Sequence, residues 1–117
     1  QTEENKAGIM QGHLPGKLSE LGKEQAQKLA LRLKNEHIDY IYSSDLARAA
    51  DTAREIAKYH PQILVKYIEQ LRERHLGEFQ GRKKSEIGLD PTLPRCSYPI
   101  QNGESWQQLN YRSYNLL

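Results

Sequence analysis

From Leu18 onward the apolar residues of this chain change period in turn, first helical, then extended, then helical and extended again. Gly22, Ala26, Leu29, Ala30 and Leu33 recur three or four residues apart, which predicts a helix opening at Leu18-Ser19 with Ser19 as its N-cap. The small residues Gly22 and Ala26 would let that helix lie close against a sheet. Ile38 to Tyr42 is a short β-branched and aromatic run that predicts a strand. Ser43, Ser44 and Asp45 then offer caps for a second helix, whose apolar face would be Leu46, Ala49, Ala50, Ala53, Ile56 and Ala57. It should end near Tyr59, because the residue before Pro61 disfavours the helical region. Ile63 to Tyr67 predicts the next strand, and Trp106, Leu109, Ser113 and Leu116 mark one side of a final helix. Residues 1–17 are polar, glycine-punctuated and aperiodic, so they predict a loop. Gly88 to Gly103, with Pro91, Pro94 and Pro99, predicts an irregular stretch.

Helix, strand, helix, strand in that order implies crossover connections and a mainly parallel sheet, hence an α/β fold. With 117 residues and 37% hydrophobic content the chain is at most one domain with a modest core. A net charge of +2, with basic and acidic residues interspersed and Arg82-Lys83-Lys84 the longest basic run, gives no footprint for nucleic acid. One cysteine, Cys96, excludes an internal disulfide and fits a reducing compartment. No apolar run approaches the roughly 20 residues of a membrane span, and no charged-then-apolar leader opens the chain, so a cytoplasmic protein without a membrane partner is expected. His13, His37 and His60 have no partner at ligand spacing, and no metal site is expected.

Chemistry concentrates in two segments, Ile41 to Ala53 and Leu71 to Gly81. Open α/β sheets bind ligands outside the carboxyl ends of their strands, and both segments follow a predicted strand. Arg48 lies near the positive end of the second helix, where guanidinium and dipole together favour an anion. Glu73 stands between Arg72 and Arg74. As a general acid it would have to stay protonated near neutral pH, and either arginine would oppose that if it pointed at the carboxyl. Asn5 and the Gln11-Gly12 pair sit in the opening loop, where an amide and exposed N–H groups can hold phosphate oxygens.

These segments come in order with Gln1-Thr-Glu-Glu-Asn5, Met10-Gln-Gly-His13, Leu18-Ser-Glu-Leu-Gly22, Gln25-Ala26, and Asn102-Gly-Glu-Ser105 with Arg112. Together they resemble the histidine phosphatase superfamily, in its phosphoglycerate-mutase-like branch, along nearly the whole chain. The resemblance implies a three-layer α/β/α architecture and hydrolysis of a small phosphorylated substrate through a phosphohistidine, without metal or cofactor. It implies that Asn5, Gln11, Gly12 and Arg48 bind phosphate, that Glu73 is the acid and base, and that Arg74 and His75 contact substrate. Leu76 stands where the mutases carry an aromatic, and Arg82 to Gly103 is short and lacks their paired arginines, which leans toward a phosphatase. A cofactor-dependent phosphoglycerate mutase or a sugar-bisphosphate phosphatase is the alternative within the family. A domain that binds a phosphorylated ligand without catalysis is the alternative outside it.

The family's nucleophilic histidine lies in an Arg-His-Gly triplet directly before the element that Gln1 to Asn5 resembles, and its second histidine in a late His-Gly pair. Neither stands in these 117 residues. Residues 1–117 are therefore expected to be a single partial domain, cut at both ends and inactive by itself.

Overall fold

The computed structural model describes residues 1–88 and 100–116, so Pro91, Pro94, Cys96 and Pro99 of the expected irregular stretch lie outside the described residues. The longest element is α2 (Glu20–Leu33), which begins where Ser19 accepts the Gly22 N–H on its Oγ at 3.0 Å. Ala26 and Ala30 on its inner side are buried, and a Cβ at Gly22 would run into the Gln1 carbonyl. The buried stripe is narrower than its apolar pattern, since Leu29 stays 43% exposed.

Strand β1 (Ile41–Ser43), helix α3 (Ala47–Ala57) and strand β2 (Val65–Tyr67) form a β-α-β unit. The strands pair in parallel, Ile41 with Val65, Tyr42 with Lys66 and Ser43 with Tyr67. Helix α3 packs on both strands and α2 packs on α3. The core between them is Leu18, Ala26, Ala30, Ile41, Leu46, Ala50 and Ala53. Four of these seven are alanines, which lets the backbones approach closely but buries little area per residue. On the outer face Tyr40 and Tyr42 stack at 6.0 Å, and the Lys66 ammonium lies 5.7 Å from the Tyr42 ring centre.

The α/β class and the parallel pairing are as the sequence predicts, but several local expectations fail, among them the start of the second strand, predicted at Ile63 and found at Val65. The opening loop contains a helical turn, α1 (Glu3–Lys6), closed by a reciprocal cap. Thr2 Oγ1 accepts the Asn5 N–H at 3.0 Å, and Asn5 Oδ1 accepts the Thr2 N–H at 3.2 Å. Four polar residues carry no apolar stripe, so periodicity could not reveal it. The first ladder runs over Ile41–Ser43 rather than Ile38–Tyr42, because pairing starts only where β2 comes alongside. Helix α3 starts at Ala47 with Leu46 as an N-cap that makes no side-chain bond. Ser44 Oγ instead accepts the Leu46 N–H at 3.2 Å, and Asp45 is drawn away by Arg72.

After β2 the chain passes through 3₁₀ turns at Glu69–Leu71, Gly77–Phe79 and Lys84–Glu86. Helix α4 (Trp106–Tyr114) opens with a capping box in which Ser105 Oγ accepts the Gln108 N–H at 3.1 Å, and it packs on the Glu69–Leu71 turn. No described helix is long and apolar enough to cross a membrane.

Candidate active site

Because β1 and β2 are parallel, the segments that follow them leave the sheet at the same edge, and each brings one chemical group. The short turn after β1 brings Arg48 in the first turn of α3. Its Nη1 donates to the Leu14 carbonyl at 2.6 Å, its Nη2 to the Gly12 carbonyl at 2.8 Å, and its backbone N–H to Pro15 at 3.1 Å. Gly12 holds this loop in a left-handed conformation, φ +52°, and a Cβ there would crowd the Gln80 amide and lie 2.9 Å from the Leu76 nitrogen. A guanidinium has five N–H groups, and two of those on Arg48 are used among the described residues. The other three have no partner among the described residues. Burial lowers the Arg48 pKa, while the Glu73 and Glu4 carboxylates act in the opposite direction. An arginine starts so high that it remains charged.

Gln11 lies next to Arg48. Its side chain is buried, and its Oε1 has no partner among the described residues. A Cβ at Gly16 would meet both that oxygen and the Arg48 Nη1, the latter at 3.3 Å, so the amide and the guanidinium converge there. The Asn5 Oδ1 is committed to the Thr2 cap, including the Thr2 hydroxyl at 2.9 Å.

The segment after β2 brings Glu73. Its side chain is exposed, and its Oε1 accepts the Arg74 N–H at 2.8 Å. Both flanking arginines are occupied elsewhere. Arg72 grips Asp45 with Nε and Nη2 and Glu69 with Nη1, and this holds the Asp45 carboxyl below its ordinary range. Arg74 is only 6% exposed, donates from Nε to the Glu104 carbonyl at 2.6 Å, and lies 5.0 Å from the Trp106 ring centre. Among the described residues no ion pair reaches Glu73, although its two sequence neighbours are arginines.

The Glu73 carbonyl accepts two bonds, from His13 Nε2 at 2.7 Å and from Arg112 Nη2 at 3.0 Å. A carbonyl can only accept, so Nε2 is the protonated nitrogen of His13. Burial pushes the His13 pKa down, and His75, Arg72 and Arg112 push it further, against the bond to Glu73. His75 meets His13 edge to face, with ring centres 4.7 Å apart, and its Nδ1 accepts the Gly77 N–H at 3.0 Å. Both imidazoles open into a cleft of about 600 Å³ between the segment 69–75 and residues 102–112. His75 is the one residue named in advance for the site that lines this cleft. Asn5, Gln11, Gly12, Arg48, Glu73 and Arg74 lie outside its lining, and Glu73 adjoins it through His13 and Arg112. The parts given no role in advance are His13, Glu104 and Arg112. They stand in motifs that carry the family resemblance, but their contacts cross 60, 29 and 39 positions of sequence and could not be read locally. Among the described residues no three His, Cys, Asp or Glu side chains gather as a metal cage.

The chain is 38% identical to a metal-independent phosphoserine phosphatase of Arabidopsis thaliana, over 100% of its own length and 53% of that protein. It is 41% identical to a glucosyl-3-phosphoglycerate phosphatase of Mycobacterium tuberculosis, over 84% of its length and 44% of that protein. The fold superposes on a mycobacterial glucosyl-3-phosphoglycerate phosphatase solved with VO3, with a TM-score of 0.87 and 36% identity, over 99% of this chain and 60% of that one. The chain thus spans about half the length of these curated relatives. The pattern of the histidine phosphatase superfamily (branch 1) matches residues 1–117 throughout, and the chain belongs to that family.

Proposed function

We propose that this protein hydrolyses small phosphomonoesters through a phosphohistidine, with Arg48 as the anion-binding residue and Glu73 as the general acid and base. The observation that supports this best is the pairing at one sheet edge of a guanidinium with free donors and a carboxyl in no ion pair, both among the described residues. A histidine outside these 117 residues attacks phosphorus, and the ester P–O bond breaks. Glu73 gives its proton to the leaving alkoxide oxygen. As a carboxylate it then takes a proton from the water that attacks the phosphohistidine, and inorganic phosphate and the free histidine result. Arg48, with Gln11, Gly12 and Asn5 around it, offsets the charge of the phosphoryl oxygens, so the catalysis is mainly electrostatic. The remainder of the substrate occupies the cleft beside His13 and His75. Residues 1–117 are part of one domain that the nucleophile completes.

Replacing Glu73 with Gln in the full-length protein tests the assignment. Formation of the phosphoenzyme from an alkyl phosphate should slow by about 10²- to 10⁴-fold, the usual contribution of a positioned acid. A p-nitrophenyl ester, whose leaving group barely needs the proton, should slow far less. Equal losses on both esters would remove Glu73 from the acid role.

A further inference from the structure

We infer that Arg112, locked to Glu104, is the positioning residue that aims Glu73; this rests on the acid role proposed above. The Glu73 side chain is exposed, and among the described residues its carboxyl has a single bond, from the Arg74 N–H, so its direction is set by that bond and by its backbone. That backbone is in turn held from outside. Arg112 reaches from α4 and donates from Nη1 to the Gln70 carbonyl at 2.5 Å and from Nη2 to the Glu73 carbonyl at 3.0 Å, spanning the segment from its start to the acid itself.

The arginine cannot swing away, because the Glu104 carboxylate takes its Nε at 2.5 Å and its Nη2 at 2.9 Å. Both side chains are mostly buried, at 20% and 13% exposure. Glu104 holds the far side of the same segment as well. Its Oε2 accepts the His75 N–H at 3.2 Å, its own N–H donates to the His75 carbonyl at 2.8 Å, and its carbonyl accepts the Arg74 Nε. Residues 70, 73, 74 and 75 are thus fixed by one ion pair whose geometry only a planar fork can satisfy. Neither side chain touches the phosphate-binding group Arg48. Both line the cleft beside His13 and His75, and their bonds reach Glu73 rather than Arg48.

The test compares the full-length protein with Arg112→Lys, Glu104→Gln and Glu73→Gln, each on an alkyl and a p-nitrophenyl phosphate. Lys keeps the charge of Arg112 but cannot hold two carbonyls and a carboxylate at once. A misplacement of about 1 Å costs on the order of 100-fold, so Arg112→Lys should slow phosphoenzyme formation from the alkyl ester by about 10- to 100-fold. It should change formation from the aryl ester less than threefold. Glu104→Gln should shift the alkyl-to-aryl ratio in the same direction, and it decides the matter if the Lys variant does not fold. In a Glu73→Gln background, Arg112→Lys should leave the ratio where Glu73→Gln has put it. Equal slowing of phosphoenzyme formation from both esters, while Glu73→Gln still discriminates between them, would overturn the positioning role and leave the acid assignment standing. No discrimination by Glu73→Gln would overturn both.

Discussion

Replacing Gly77 with Ala sets a steric term against a conformational one, and the structure supplies a control for separating them. Gly77 sits at φ +46°, where a side chain is disfavoured by about 1–2 kcal/mol. A Cβ there would also meet three backbone atoms of the facing turn, the Gln101 carbonyl oxygen, the Gly103 nitrogen at 2.6 Å and the Asn102 carbonyl carbon at 2.8 Å. No rotamer change relieves contacts with backbone, so one of the two turns must move, and overpacking of this kind costs a further 1–3 kcal/mol or so. Gly8 has the same kind of backbone, φ +71°, but its Cβ would meet nothing within 4 Å. Gly8→Ala should therefore cost about 1–2 kcal/mol and Gly77→Ala about 2–5 kcal/mol. Urea unfolding with a common m-value measures the difference. Equal losses in the two variants, or a larger one at Gly8, would refute the close approach of residue 77 to the turn 101–103. The displaced turn leads directly into Glu104, so Gly77→Ala should also lower the alkyl-to-aryl ratio of phosphoenzyme formation.

Arg48→Ala should slow alkyl and aryl phosphates alike, since both share the phosphate it holds, and Arg48→Lys should recover little because the fork on Gly12 and Leu14 is lost; recovery by Lys to near wild-type turnover would count against bidentate binding. Stability should fall on acidification in two stages, because the folded pKa values of His13 and Glu104 are both depressed, the first chiefly by burial and the second chiefly by the Arg112 bond. In each window the unfolded chain binds more protons, so stability is whole above the unfolded value, near 6.5 and 4.5 respectively, and is lost as the pH drops through the folded one. His13→Gln keeps an N–H for the Glu73 carbonyl and should flatten the upper stage, and Glu104→Gln should shrink the lower, of which Asp45, held down by Arg72, keeps a share; denaturation curves from pH 7 to 3 that are unchanged in both variants would contradict it.

What the sequence made legible follows the range of the interaction. Ser19 capped α2 as expected because the bond spans three residues. The stripe Gly22, Ala26, Ala30 was readable because helical spacing alone puts those positions on one side. The start of β1 was misjudged by three residues because Ile38 and Tyr40 look like strand residues, while the ladder depends on where Val65 arrives. Glu73 and Arg48 could be singled out as a charged pair of candidates past two strands. That Arg72 would turn to Asp45 and Arg74 to Trp106, leaving Glu73 unpaired, depends on contacts across 27 and 32 positions and could not be read locally.

The arginines of this site follow from where such sites must be built. The carboxyl edge of a parallel sheet is made of loops, and their carbonyls have no ladder to join, yet buried ones must find donors. Arg48 serves Gly12 and Leu14, Arg74 serves Glu104, and Arg112 serves Gln70 and Glu73. Each fixes the loop backbone with some of its donors and leaves a full positive charge near the place where a phosphate would sit. Arg72, Arg74 and Arg112 offset part of that charge with Asp45, an aromatic face and Glu104, while Arg48 is paired with no carboxylate among the described residues. Glu73 thus acts on Arg48 electrostatically without being bound to it. A carboxyl held in that way can give up its proton to a leaving oxygen and recover one from water without first breaking a salt bridge.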